Sequence, residues 1–343
     1  MDGLFASRHL APATIEDDGA PLLLVVVDTE EEFDWSQPFS RNNIGATSIH
    51  NQPLAHRVFE RYGIIPSYLV DYPVATSEFA AVLRELRRQG VCEIGAQLHP
   101  WVNPPHEEEV NVRHSYPGNL PAALERAKLQ VLTDTIRRQF DVEPVAYKAG
   151  RYGFGPHTMA ILEELGYTID TSVMPVTDFS EFEGPDYADY SARPFWFGNS
   201  RRILEVPVTR GLVGISDVLS GSHFARIDSP RLRRYHVPGL LARLGILERI
   251  TLTPEGVDHS AHRRLTRALL AQGQRVFTFS YHSSSLAPGN TPYVRSTRDL
   301  DNFLRTMDRY FHYFMHEIGG KPVALSELHR RLEGGANPRR AAS

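Results

Sequence analysis

Asp28, Glu30, His99 and His282 are the residues of this chain whose types and placement point most directly to chemistry. Asp28 ends the apolar run Leu22 to Val27 and opens an acidic stretch with Glu30, Glu31, Glu32 and Asp34. Carboxylates at such a point can hold a hard metal ion or act as a general base. His99 follows another short apolar segment and stands in the proline-rich loop QLHPWVNPPHEE. Beside a Glu and an Asp at neighbouring strand ends, it is a plausible zinc ligand. His106, seven residues on, becomes a second candidate if the loop folds back. Lys148 and Arg151 lie in KAGRYGFGP, where glycines let backbone approach a ligand. A cation there can orient a carboxylate base or hold a substrate anion, and a structural salt bridge is the alternative. His282 follows FTFSY and is placed as a general acid, with an ordinary pKa of about 6.5. Asp170, at the end of YTID, is read as orienting a neighbour or capping a helix.

These residues need elements that bring them to one place. An unbroken apolar run ending in charge fits a strand buried on both faces, as in a parallel sheet. Such strands are expected at 22–28, 66–70, 92–96, 144–147, 167–169, 203–206, 275–280 and 322–325. Helical patterns separate them, near 49–62, 77–89, 120–140, 157–165, 229–247, 255–272 and 297–318, with a terminal helix last. Alternation of strand and helix predicts a parallel sheet with helical crossovers, and the strand count suits a closed or nearly closed barrel. Chemistry then gathers on the loops after the strands, so Asp28, Glu30, His99, Lys148, Arg151, Asp170 and His282 are expected on one face. The loop SSSLAPGNTPY after His282 is read as facing substrate. Trp101, Tyr152 and Tyr281 flank these positions and are candidate substrate contacts. The aromatic segment 179–197 offers either sugar-stacking faces or core. The remaining histidines, on helices and loops, are read as surface residues.

Length and composition set the bounds. The 343 residues are 41% hydrophobic and 23% charged, ordinary for a globular protein, and one main domain over 21–332 is expected. Residues 1–20 read as a loose leader and 333–343 as a frayed tail. A net charge of -4 gives no bulk attraction to nucleic acid. The single cysteine, Cys92, excludes an intrachain disulfide and reads as a core residue. The first residues lack the basic and apolar blocks of a secretory signal, and no run approaches the roughly 20 apolar residues of a membrane span. A cytoplasmic location without membrane insertion is the expectation. No GxSxG elbow, P-loop, HExxH or paired CxxC occurs.

The motifs VVVDTEEEFDW, EIGAQLHPWVNPP, SYPGNL, YKAGRYG with ELGYTIDTSV, ILEVPVT, and FSYHSSSLAPGNTPY followed by GGKPVALSELHRRL occur in that order over 21–332. In these the chain resembles the polysaccharide deacetylases of the NodB-homology type, carbohydrate esterase family 4, and within them the WalW-like branch. The resemblance implies a distorted (β/α) barrel, often of seven strands, and a divalent metal, commonly zinc, that activates water to attack an acetamide carbonyl. By it Asp28 matches the base, Glu30 and His99 match metal ligands, Lys148 or Arg151 matches the residue that braces the base, and His282 matches the acid. The family pattern carries two histidines four apart before its proline. Here the earlier position is Gly95, with Gln97 the polar residue nearby, so His106 or an acid must complete a metal site. The acidic motif is also spaced differently, which leaves Asp28 and Glu30 free to exchange roles. The implied substrate is an N-acetylated sugar, nucleotide-linked, lipid-linked or a small glycoside. Metal-independent hydrolysis of another C–N bond and an inactive glycan-binding barrel are the alternatives.

Overall fold

The structure, a computed structural model, describes residues 3–15, 19–34, 36–214 and 247–335. The helix expected at 229–247 therefore lies outside the described residues except for its last position, as does most of the C-terminal tail. In chain order the main elements are β1 (Ala11–Pro12), β2 (Leu22–Thr29), α1 (Gln52–Arg61), β3 (Ser67–Val70), α2 (Tyr72–Thr76), α3 (Ala80–Arg88), β4 (Glu93–Leu98), α4 (Ala122–Phe140), β5 (Ala146–Ala149) and α5 (Thr158–Leu165). They continue as β6 (Ile169–Asp170), β7 (Phe195–Phe197), β8 (Ile203–Glu205), β9 (Arg210–Val213), β10 (Glu248–Thr251), α6 (His259–Ala271), β11 (Val276–His282), α7 (Thr297–His312), β12 (Lys321–Pro322) and α8 (Leu325–Gly335).

Among the described residues, seven parallel strands run in the order β11-β2-β3-β4-β5-β6-β8. β7 and β1 add antiparallel beyond β8, and β12 pairs with the first residues of β2. No ladder joins β8 to β11. Instead the Thr278 amide donates to Thr209 Oγ1 at 2.7 Å, and the Ser280 amide donates to the Leu252 carbonyl at 3.1 Å. This loop-bridged seam makes the fold a distorted (β/α)7-type barrel, as the alternation of elements predicts.

Strand alternation decides what lies inside. Leu23, Val25 and Val27 of β2 face outward into the core beneath the helices. Leu22, Leu24 and Val26 face inward with Leu69, Ala146, Ile169, Leu204 and Val276. Leu325, Leu328 and Leu332 of α8 close that end of the barrel. Asp28 is the next inward position of β2, so the apolar stack gives way to charge within one residue pair.

Several expectations are corrected. Described leader residues pack against the barrel: Phe5 is fully buried, 4.4 Å from the Phe154 ring, and β1 pairs with β7. Strand β4 runs to Leu98, so Gln97 is a strand residue whose side chain points inward. The helix expected over 77–89 is α3, shortened to Ala80–Arg88, and an unexpected short helix α2, capped by Asp71, precedes it. The last long helix continues past His312 as a π-helical turn. The antiparallel pairing of β9 with β10 carried no recognised sequence signal. Tyr187, Phe195, Trp196 and Phe197 of the aromatic segment are core residues. His56 and His262 are buried, not superficial, and burial pushes each down to about 4. Cys92 is buried as expected.

Candidate active site

Five strand ends, those of β2, β3, β4, β5 and β11, supply the site. From β2, Asp28 accepts two bonds from Lys148 Nζ of β5, at 2.5 and 2.6 Å. Both side chains are buried. Burial opposes the Lys148 charge, but Asp28 outweighs it and the ammonium is held above its usual range. Lys148 also lies 4.6 Å from the centre of the Tyr152 ring. From β11, His282 Nδ1 meets Glu255 Oε2 at 2.8 Å, and the His282 amide donates to Glu255 Oε1 at 3.0 Å. Its other nitrogen, Nε2, faces Asp28 Oδ2 at 3.7 Å and Glu30 Oε1 at 3.9 Å. Burial pulls the His282 imidazole down, yet Glu255, then Glu30 and Asp28, lift it to about 10. Burial likewise opposes the Glu255 charge, and His282 brings it below the ordinary carboxylate range. These are two carboxylate–cation pairs of opposite orientation that meet at 3.7 Å beside a cleft of about 320 Å³, lined by Asp28, Glu255, His282, Tyr152 and Tyr293.

A second layer lies behind them. His99 of the β4 end has Nδ1 2.7 Å from Glu31 Oε2. Gln97 Nε2 stands 3.0 Å from Glu30 Oε2 and 3.1 Å from His99 Nε2. An amide nitrogen only donates, so His99 Nε2 accepts, the ring is neutral and its proton sits on Nδ1 toward Glu31. Trp101 stacks on the imidazole at 4.4 Å. The Glu31 amide donates to Asp71 Oδ2 at 2.6 Å, and Asp71 Oδ1 accepts from the Val74 amide. Burial raises Glu30, Glu31 and Asp71, Glu31 to about 8, and lowers His99. Gly150 permits this arrangement, because a Cβ there would stand 2.4 Å from the His99 ring.

Among the described residues, Glu31, Asp71 and His99 form the one group of three donors whose ligand atoms all lie within 4.8 Å. Two carboxylates and an imidazole suit zinc or a similar divalent ion. Glu31 Oε1 is buried without a hydrogen-bond partner, an acceptor that a cation would satisfy. The donor set therefore fits the metal that the sequence resemblance implies.

Asp28, Glu30, His99, Lys148 and His282 thus come together. Others do not. His106 is exposed, and the charges around it are Lys128, Arg41 and Glu108, so it is no partner of His99. Arg151, with φ of 55°, turns away from Asp28; it bonds Ser115 Oγ and lies 4.1 Å from the Tyr116 ring centre. Asp170 pairs in register with Tyr147, one residue out of phase with Lys148, and so faces the opposite side of the sheet. There it accepts from Ser172 beside Glu205. Trp101 and Tyr281, expected to touch substrate, are each 1% exposed; Tyr281 turns its hydroxyl onto Gln52. Sequence reasoning missed Glu255 and the roles of Glu31, Asp71 and Gln97 in the site. Asp71 carried the same signal as Asp28, an acid directly after a short apolar strand.

No family model and no curated protein sequence matches the chain. Its fold is shared with solved structures. A provisionally assigned polysaccharide deacetylase from Mycobacterium smegmatis superposes with a TM-score of 0.55 at 15% identity, over 95% of this chain and 96% of that one. PuuE allantoinase superposes with a TM-score of 0.55 at 13% identity, over 94% of each chain. A 4-alpha-glucanotransferase from Thermococcus litoralis gives 0.50 at 11% identity, covering 90% of this chain and 40% of that one. The resemblance read from the motifs is matched at the level of the fold.

Proposed function

We propose that the chain is a hydrolase that removes the acetyl group from an N-acetylated amino sugar, with a nucleotide-linked, lipid-linked or small glycoside as the carbohydrate. The observation that carries the reading is the opposition of Asp28–Lys148 to Glu255–His282 in one cleft, with His282 Nε2 3.7 Å from Asp28 Oδ2. Amide hydrolysis needs a base for the attacking water and an acid for the departing amine. Lys148 fixes the Asp28 carboxylate where it can take the water proton. The water oxygen bonds the acyl carbon and the C–N bond breaks. His282, held as an imidazolium by Glu255, gives its Nε2 proton to the nitrogen, so acetate and a free amine leave. Tyr293, half exposed at the cleft wall, offers a face to a sugar ring, and Tyr152, covered by Lys148 and Phe179, lines the wall beside it.

Glu31, Asp71 and His99 would hold a divalent cation, in place of the Glu30, His99 and His106 set read from sequence. When bound, such an ion supplies a Lewis acid that polarises a carbonyl and acidifies water. Glu30, between the two layers, keeps its place through Gln97 and the Ser283 hydroxyl.

The test is acetate release from N-acetylglucosamine derivatives by zinc-loaded protein. Release from free, nucleotide-linked or lipid-linked forms is the expected result, and no release from any of them by folded protein removes the proposal. Hydrolysis of another acyl–nitrogen bond is the second reading, favoured by the fold shared with an allantoinase. Ureide turnover in place of acetate release would select it.

A further inference from the structure

The carboxamide of Gln97 is half satisfied. Its nitrogen bridges Glu30 and His99, while its oxygen is buried without a hydrogen-bond partner. Gln97 itself is 2% exposed. Buried acceptors in this state are uncommon and unfavourable. On the other side of the same imidazole, Glu31 Oε1 is also buried and unpartnered. Two orphaned oxygens therefore flank one ring whose proton position decides what each can do.

We infer that Gln97 is a positioning residue that selects which nitrogen of His99 carries the proton, and thereby whether the buried Glu31–Asp71–His99 nest accepts a divalent cation. With the amide nitrogen toward Nε2, the ring proton is confined to Nδ1 and points at Glu31. Nδ1 then has no lone pair for a cation, and the nest is closed. A half-turn of the carboxamide exchanges oxygen and nitrogen with almost no change of shape. Oε1 then accepts from Nε2–H, and the freed Nδ1 lone pair joins Glu31 and Asp71. The half-turn gives up the bond to Glu30, so the closed form is favoured without a cation. A cation that binds only the open form shifts the balance. The hydrogen bond made by the far nitrogen of a ligating histidine fixes its tautomer in this way. The inference uses the cation set of the proposed function; the tautomer itself is a property of the folded chain.

The experiment uses full-length protein labelled with ¹⁵N-histidine, in chelator and then with zinc chloride. Long-range ¹H–¹⁵N spectra report the tautomer, and His99→Gln assigns the signal. Wild type is expected to show Nδ1–H without zinc and Nε2–H with it. Gln97→Glu offers only acceptors once ionised, which burial beside Glu30 and Glu31 delays to alkaline pH, and above that point it is expected to show Nε2–H without zinc. It should bind zinc roughly tenfold tighter in competition with a chelating dye. Gln97→Leu adds no charge and should lose the Nδ1–H preference, which separates the tautomer effect from simple attraction. Nδ1–H persisting in the zinc form, failure of zinc to bind, or wild-type tautomers in both variants would overturn the inference. Acetate release on the same samples reports the proposed function separately: turnover with an unswitched ring removes the Gln97 switch alone.

Discussion

The two halves of the barrel interior are built on the same strands and differ in everything else. In the lower half Leu22, Leu24 and Val26 meet Leu69, Ala146, Ile169, Leu204 and Val276 under the leucines of α8. In the upper half the same strands and their ends present Asp28, Glu30, Gln97, His99, Lys148 and His282. Apolar packing stabilises the lower half roughly in proportion to area removed from water. The upper half buries charges that are costly unless paired, and pairing restores only part of that cost. Stability and chemistry are thus separated along one axis by a step of two residues. Substitutions on either side of Val26 should have opposite signatures.

The sharpest contrast is Asp28→Asn against Leu24→Ala. Loss of the base should lower acetate release by about 10²–10⁴-fold, with Asn retaining an acceptor for Lys148. Leu24→Ala should instead cost ~2–5 kcal/mol of unfolding free energy in denaturant titrations, with kcat/KM unchanged in the folded fraction. Comparable activity loss in both variants would erase the distinction between the halves.

Glu255→Gln probes the outer pair of the upper half. Glu255 is the foremost group lifting the His282 imidazole toward about 10. Without it the imidazolium should be lost at lower pH. The alkaline limb of kcat/KM, where the acid deprotonates, should move down by about one unit or more. An unmoved limb would detach Glu255 from His282.

A smaller effect concerns stability against pH. Burial raises Glu31 from about 4.5 to about 8, so the folded chain keeps a proton that the unfolded chain releases. Its contribution is fully present below pH 4.5 and is lost as pH rises through 8. His282, raised from 6.5 to about 10, acts in the same direction over that later window. Metal-free protein should therefore lose thermal stability from pH 5 to 9, and Glu31→Gln should flatten the earlier part. Leu24 carries no titratable group and touches none of these, so Leu24→Ala should leave the slope as it is. An identical slope in wild type and Glu31→Gln would remove Glu31 from the account.

Much of this division was readable before the structure. The run from Leu22 into Asp28 announced both halves of β2, and Lys148, His99 and His282 announced the strand ends that meet it. What could not be read depends on phase or on distant contacts. Asp170 ends a strand of two residues, too short for alternation to tell inside from outside. Glu255 lies in a loop after β10 and acquires meaning only where that loop crosses His282. Gln97 read only as the polar residue near Gly95, where the family histidine is missing, until β4 was seen to carry it inward between Glu30 and His99. Arg151 and Lys148 were indistinguishable as braces for Asp28, because the left-handed backbone at Arg151 and Tyr152 that turns Arg151 away leaves no mark in composition.

The most direct test of the upper half as an amide-cleaving site is His282→Ala on two substrates. One is an N-acetyl amino sugar, whose amine must be protonated as it leaves. The other is an activated acetyl ester, whose leaving group needs no proton. Removal of the acid should cut amide turnover by about 10²–10⁴-fold and spare most of the ester turnover, with zinc content unchanged. Equal losses on both substrates, or loss of zinc from the variant, would contradict the role of His282 as the proton donor.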